Sequence, residues 1–207
     1  MRSQKVKKVV IVGGGTAGWM TAASLAKLIG QNLDICLIES DEIGTVGVGE
    51  ATIPTMMTLH QLLKINEQEF MAATQATFKL GISFENWRNT DQDYIHSFGF
   101  TGQDCWAGGF QHFWLKGKRL GISEDFGRYC KELQAAKAKK FAVLPNSGLN
   151  YAYHLDASLY AKFLRTIAEK NRARRVEGKI TTVNQNDNGD IKNVILASGE
   201  IIEGDLF

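Results

Sequence analysis

The chain has 207 residues and a net charge of +2, enough length for one large core or two small domains and too little charge to argue for nucleic acid. Its composition is ordinary for a globular protein, no apolar run approaches membrane-spanning length, and no secretory signal is visible. Cys36, Cys105 and Cys130 are widely spaced without C-x-x-C and the four histidines lack ligand spacing, which points away from a disulfide frame or a zinc site and toward free thiols in a reducing compartment.

After a short basic lead-in, residues 9–12 (VVIV) read as a buried parallel strand, Gly13, Gly15 and Gly18 form G-x-G-x-x-G, and residues 17–28 read as a helix. The glycines answer three demands: a tight turn at Gly13, close backbone approach to a pyrophosphate at Gly15, and close packing of helix on strand at Gly18. The helix N-terminus adds free N–H groups and the positive end of a dipole. A second apolar strand, residues 35–38, leads into Glu39, about twenty residues beyond the glycines, where a carboxylate hydrogen-bonds a ribose hydroxyl. Strand, glycines, helix, strand and acid in register predict a dinucleotide site; a glycine-rich turn of another α/β domain is the competing reading. Trp19, in the opening turn of the helix, is expected to be a core anchor beneath the loop rather than a ligand contact.

Residues 44–55 (GTVGVGEATIPT) set three glycines among small residues. Two readings fit: backbone lying flat against a planar ligand, or a plain connection ending in a helix cap, with Glu50 near the helix dipole and Pro54 in the first turn. Met56, Leu59 and Leu63 then share a helical face, and Asn66-x-x-Glu69 predicts a capping box opening a short helix through residue 76. Residues 78–85 (FKLGISFE) alternate with period two and predict one strand with Phe78, Leu80, Ile82 and Phe84 on its apolar face. Lys79 falls on the other face beside Gly81. Taken alone it reads as a solvated strand lysine, with an amine facing a cavity as the alternative.

Residues 94–120 crowd Phe98, Phe100, Trp106, Phe110, Phe113 and Trp114 among Gly99, Gly102, Gly108 and Gly109, a mix that fits an aromatic core patch under long loops or a flat aromatic pocket. Residues 124–140 predict a helix with solvated Lys131, Lys137, Lys139 and Lys140, and a solvated face is likewise expected for Arg172, Arg174 and Arg175. Residues 145–153 read as a loop, Asp156 as an N-cap, and Leu159, Phe163 and Ile167 as the buried stripe of a helix ending near Asn171. Residues 175–183 and 191–196 predict strands around a turn at 186–189, with a further turn at Ser198-Gly199. A β-meander after the first nucleotide-binding unit fits a flavin fold better than an NAD dehydrogenase. The final stretch, GEIIEGDLF, stops on a strand-like pattern, as expected for the front part of a longer protein.

GGGTAGWMTAASLA (13–26), GVGEATIP (47–54), FKLGISFENW (78–87) and AYHLDASLYAKFLR (152–165) together resemble the flavin-dependent tryptophan halogenases over nearly the whole chain. The resemblance implies an α/β fold of the FAD-binding, Rossmann-like glutathione-reductase type: a parallel sheet plus a β-meander, with an aromatic-rich insertion at 77–150 on the substrate side. It implies reduced FAD supplied by a separate flavin reductase. With oxygen and halide this gives hypohalous acid, passed to an electron-rich aromatic such as tryptophan or indole in a cytoplasmic enzyme.

Carried over residue by residue, Lys79 matches the catalytic lysine, which hydrogen-bonds hypohalous acid or becomes an N-halo-lysine. Gly13, Gly15, Thr16, Ala17 and Gly18 would hold the pyrophosphate and Glu39 the adenosine ribose. Gly49, Glu50 and Ala51 match the strap between flavin and substrate sites, and Ile180 would contact adenine through its backbone. No metal is implied. The family's W-x-W-x-I-P motif and later catalytic carboxylate are absent from these 207 residues, so this stretch alone is expected to be inactive and to bind FAD poorly. The alternatives are an aromatic hydroxylase of the FAD monooxygenase kind and a non-catalytic nucleotide-binding remnant; a relay lysine separates halogenation from hydroxylation.

Overall fold

The computed structural model describes residues 5–43, 49–143 and 147–207. Gly44, Gly47 and Pro145, which figure in the expectations above, lie outside them. In chain order the elements are β1 (Lys8–Val12), α1 (Thr16–Leu28), β2 (Asp34–Glu39), β3 (Gly49–Ala51), α2 (Thr55–Leu62), α3 (Glu67–Thr74), β4 (Thr77–Lys79), β5 (Gly81–Phe84) and β6 (Tyr94–Ser97). There follow α4 (Phe110–Arg119), α5 (Lys131–Lys137), β7 (Ala152–Asp156), α6 (Ala157–Lys170), β8 (Arg174–Glu177), β9 (Ile180–Gln185), β10 (Ile191–Leu196) and β11 (Ile201–Glu203). Two compact units divide them: one comprises Met1–Glu50, Leu59–Ala76 and Leu155–Phe207, the other Ala51–Thr58 and Thr77–His154.

In the first unit β1, β2 and β8 make a parallel sheet with β2 at its centre, and Leu206 bridges to Val9 on the far edge of β1. Ile35, Cys36, Leu37 and Ile38 are all buried, as a parallel strand covered on both faces requires. Strand alternation sorts them. Cys36 and Ile38 join Val10 and Val176 against Val194, Leu196 and Ile202 of the antiparallel meander β9-β10-β11. Leu37 points the other way, toward the start of α1, where its Cδ1 would lie 3.6 Å from a Cβ on Gly18.

Helix α1 buries Trp19, Ala22, Ala23 and Ala26 and packs against α6. The fully buried positions of α6 are Ala157, Tyr160, Ala161, Leu164 and Ala168, one position round from the expected Leu159, Phe163 and Ile167, which are only half-buried. Two alanine-rich helices approach closely through their small side chains, and this turns the bulkier stripe of α6 outward. Asp156 caps α6 as expected, its carboxylate accepting from Leu159 N at 2.8 Å. Asn66 caps α3 by accepting from Glu69 N at 3.0 Å, but α3 ends at Thr74, because Gln75 turns left-handed at φ +53°. His60 is buried beside Tyr160, its Nε2 2.9 Å from the hydroxyl, and meets Phe70 edge-on at 4.5 Å.

The single strand expected at 175–183 is two strands in two sheets. Gly178 N donates to the Glu39 carbonyl at 2.8 Å and closes the parallel ladder, and the chain then enters the meander at Ile180. A Cβ on Gly178 would stand 2.8 Å from the Leu196 side chain, so the chain crosses close against the meander.

In the second unit β7 pairs antiparallel with β4, with Phe78 opposite Tyr153 and Lys79 opposite Ala152. Ala152 and Tyr153 are therefore strand, not the loop expected for residues 145–153. The strand predicted at 78–85 breaks at Leu80: β4 belongs with β7, while β5 forms a hairpin with β6. A Cβ on Gly81 would lie 2.6 Å from the His96 carbonyl oxygen, so the glycine lets β6 come against the chain just past the break. The helix expected at 124–140 divides into a 3-10 turn, Phe126–Tyr129, and α5, because Cys130 is extended and bridges to Thr101.

The aromatic stretch meets the core-patch expectation only in part. Phe110 and Trp114 pack on Phe126 and Tyr129, whereas Trp106 is fully exposed and Phe100 is 85% exposed. Lys131, Lys137, Lys139 and Lys140 are exposed, as expected.

Candidate functional site

The glycine loop leaves β1 at Gly13, whose φ of +114° is backbone territory for glycine, and runs into α1 with Gly15 as N-cap. Among the described residues no side chain caps α1, which leaves its first N–H groups available. Among the described residues nothing lies within 4 Å of where a Cβ on Gly13 or Gly15 would stand. Gly18 is the reverse case: its Cβ would fall 1.9 Å from the Gly13 carbonyl oxygen, so helix and loop touch only because it has none. Gly13, Gly14 and Gly15 line a cleft of about 350 Å³ together with Glu39, Ile180 and Lys179. These residues fit a dinucleotide: open backbone and an uncapped helix for a pyrophosphate, and a carboxylate on the same cleft for a ribose. Thr16, Ala17 and Gly18 form the first turn of α1 and do not line it.

Glu39 is more constrained than its place in the motif implied. By strand alternation it lies on the α1 side of the sheet with Leu37, and β8 places Arg175 opposite Leu37. Arg175 Nε donates to Glu39 Oε1 at 2.5 Å and its Nη2 to Asp41 Oδ1 at 2.5 Å, and these partners, the Glu39 hydrogen bond first, raise the guanidinium's pKa further. Arg175, expected on a solvated face, is therefore largely buried in an ion pair; Arg172 and Arg174 are exposed as expected. Trp19 is 1% exposed, which bears out the core anchor, and its indole N–H also donates to Glu39 Oε2 at 3.2 Å. Gly14, a free position in the motif, is glycine for a local reason: its Cβ would stand 1.4 Å from Glu39 Oε2.

Gly49, Glu50 and Ala51 form β3, so this part of the connecting stretch is strand rather than loop. Glu50 Oε1 accepts from Thr16 Oγ1 at 3.2 Å, which sets the carboxylate at the opening turn of α1 and not at α2. Residues 44–48 lie outside the described residues. Pro54 stands just ahead of α2 and its carbonyl accepts from Met57 N at 2.9 Å.

Lys79 is 6% exposed, in contrast to the solvated lysine its alternation alone suggested. Phe78 turns to an aromatic cluster, stacked on Phe141 at 4.1 Å and edge-on to Tyr151 at 5.4 Å, and alternation sends Lys79 to the opposite face. There its Nζ donates to the Thr52 carbonyl at 3.0 Å and stands 5.3 Å from the ring centre of Phe98. Thr52 is itself pinned to β7: its N donates to the Tyr153 carbonyl at 2.9 Å, and its hydroxyl accepts from Tyr153 N at 2.9 Å. Burial pulls the Lys79 pKa below the ordinary lysine value. His154, on β7 opposite Thr77, is held below its ordinary value by partial desolvation and then by the Lys79 charge. Thr52, Phe98 and Arg175 escaped the sequence reading because sheet register and tertiary approach, not local pattern, bring them to these groups.

Among the described residues no group of three or more His, Cys, Asp and Glu is placed to hold a metal, and no helix is long and apolar enough to cross a membrane. Cys36 and Cys130 are buried and Cys105 exposed, all as free thiols.

The sequence matches the tryptophan halogenase family model over residues 8–207. It is 37% identical to the tryptophan 7-halogenase RebH of Lentzea aerocolonigenes, over 99% of this chain and 42% of that protein. Among solved structures, a flavin-dependent halogenase from Xanthomonas campestris superposes with TM-score 0.92 at 61% identity, covering 99% of this chain and 42% of that one. BrvH, a flavin-dependent halogenase from Brevundimonas sp. BAL3, superposes with TM-score 0.86 at 40% identity, covering 98% and 42%. The chain thus spans less than half the length of the relatives it matches.

Proposed function

The chain belongs to the tryptophan halogenase family, and from that premise we propose that it is the FAD-binding part of a flavin-dependent halogenase acting on an electron-rich aromatic such as tryptophan or indole. Gly13 and Gly15 hold the FAD pyrophosphate at the start of α1, where the first turn, Thr16, Ala17 and Gly18, supplies the positive helix end; Glu39 takes the adenosine ribose, and Ile180 borders the adenine end of the same cleft. Bound reduced FAD, with oxygen and halide, supplies the oxidised halogen as hypohalous acid. A separate flavin reductase provides the reduced cofactor, and the free thiols accord with a cytoplasmic location. Residues 77–150 face the substrate side, a reading supported by the exposure of Phe100 and Trp106.

The observation that carries the chemistry is the buried Lys79 amine. As an ammonium it donates hydrogen bonds to the hypohalous oxygen and polarises the O–halogen bond. As a neutral amine, the form that burial favours, it attacks the halogen: the N–halogen bond forms, the O–halogen bond breaks, and the departing hydroxide takes the amine proton as water. The aromatic ring then takes the halogen and returns a proton to the amine. The Thr52 carbonyl restricts where the amine can stand.

The test uses the full-length parent protein with reduced FAD, oxygen, bromide and a panel of indoles, read by product mass. Lys79→Met is expected to abolish halogenated product while FAD affinity and melting temperature hold. Halogenation that survives the substitution, or a product heavier by one oxygen, overturns the assignment.

A further inference from the structure

We propose that Trp19 and Arg175 are positioning residues that fix the Glu39 carboxylate as a two-point acceptor for the adjacent hydroxyls of the adenosine ribose. The inference rests on the assignment of Glu39 to that ribose.

An isolated glutamate at the end of a strand is a poor recognition element. Its side chain has several rotamers, and each one frozen on binding costs affinity. Glu39 is not isolated. Oε1 receives Arg175 Nε at 2.5 Å and Oε2 receives Trp19 Nε1 at 3.2 Å, so each oxygen is held by a donor from a different element. The donors are themselves held. Arg175 spends its second arm on Asp41 at 2.5 Å. The Arg165 guanidinium lies 5.8 Å from the Trp19 ring centre, keeps Nη1 3.7 Å from Glu39 Oε1, and is tethered by Glu169 at 2.9 Å. Gly14 supplies the remaining condition, since any side chain there would occupy the place of Oε2.

The stoichiometry of lone pairs shows what the arrangement is for. An ionised carboxylate offers about four acceptor positions, two on each oxygen. Among the described residues Arg175 and Trp19 are the hydrogen-bond donors to Glu39, one on each oxygen, which leaves one position on each. A ribose offers two neighbouring O–H donors, one for each oxygen. The indole also explains itself. A buried Trp N–H donates and cannot accept, so it must find an acceptor, and here that acceptor is the ribose carboxylate. A phenylalanine would fill most of the same volume, offer no donor, and leave Glu39 Oε2 without its hold. Arg175 adds a compensating charge that stays beside Glu39 when a bound ribose excludes water.

The experiment measures binding of FAD and of its 2′-deoxyadenosine analogue to the full-length parent protein by flavin fluorescence. It compares wild type with Trp19→Phe, Arg175→Met and Arg175→Lys, and takes melting curves in parallel. Wild type is expected to favour FAD over the analogue by about tenfold, the worth of one hydrogen bond to a charged acceptor. In Trp19→Phe and Arg175→Met that preference is expected to fall to about twofold to threefold, and Arg175→Lys to keep more of it. If Arg175→Met does not fold, Trp19→Phe and Arg175→Lys carry the comparison. A preference unchanged in the folded variants, even where both ligands bind more weakly, overturns the inference and leaves the ribose assignment standing. A wild type that binds the two ligands equally overturns the ribose assignment and the inference with it.

Discussion

His60 makes the fold sensitive to acid, by an amount its surroundings set. The imidazole is 5% exposed, with Phe70 edge-on at 4.5 Å and the Tyr160 hydroxyl 2.9 Å from Nε2. Burial pulls its pKa from 6.5 to about 4, and the charge of Glu67 opposes this only in part. Burial also pushes the Tyr160 hydroxyl up, helped by the Glu50 charge, so the phenol stays protonated throughout the range of interest. The sign follows from proton counting. Between pH 4 and 6.5 the unfolded chain binds a proton at His60 that the folded chain refuses, so stability rises with pH across that window. It is lost as pH falls through the window, and the whole penalty is felt below pH 4. At 1.36 kcal/mol per pH unit the gap between 6.5 and about 4 corresponds to about 3 kcal/mol. His60→Gln keeps a polar group at the site without titrating. Urea unfolding of the parent protein and of His60→Gln at a series of pH values from 4 to 7.5 should show the wild type losing about 3 kcal/mol more than the variant on acidification. The reasoning fails if the two curves run parallel, or if the His60 ring resonance in the folded protein titrates near 6.5.

Gly18→Ala brings a methyl within 1.9 Å of a backbone oxygen that has no free rotation to escape. It should lower stability by about 1–3 kcal/mol and weaken FAD binding together, as read by urea unfolding and flavin titration; wild-type affinity would contradict the packing argument. Asp156→Ala removes the cap of α6 and should lower stability by about 1 kcal/mol, with Asp156→Asn close to wild type in the same unfolding measurement.

The first β-α-β unit was legible almost to the residue. Its signals are local: an apolar run, glycines at fixed offsets and an acid at the end of the next strand. Boundaries went astray where a continuous pattern hides a change of partner. Residues 78–85 keep perfect period two, yet β4 and β5 pair with different strands. Residues 175–183 look like one strand and serve two sheets. Periodicity reports which side of a strand is apolar, and says nothing of which strand lies beside it. The short β7 was missed because its pairing is long-range, reaching back across the aromatic stretch to Thr77–Lys79.

The same distinction separates the two candidate functional residues. Glu39 could be found by counting from the glycines, because motif spacing encodes how far a strand end lies from a loop. That Arg175 and Trp19 hold it could not, since their approach is set by the register of β8 on β2 and by the seat of α1 on the sheet. Lys79 is the harder case. Its alternation was right: Phe78 goes to the aromatic cluster and Lys79 to the other face. What alternation cannot say is whether that other face meets water. Here it meets the Thr52 carbonyl and the Phe98 ring, both brought in from elsewhere in the chain. A charged side chain is removed from water at a cost, and one hydrogen bond to a neutral carbonyl returns only part of it. Stability alone would favour an apolar residue of the same length at this position. The buried amine is therefore a feature of the second unit that packing stability does not explain.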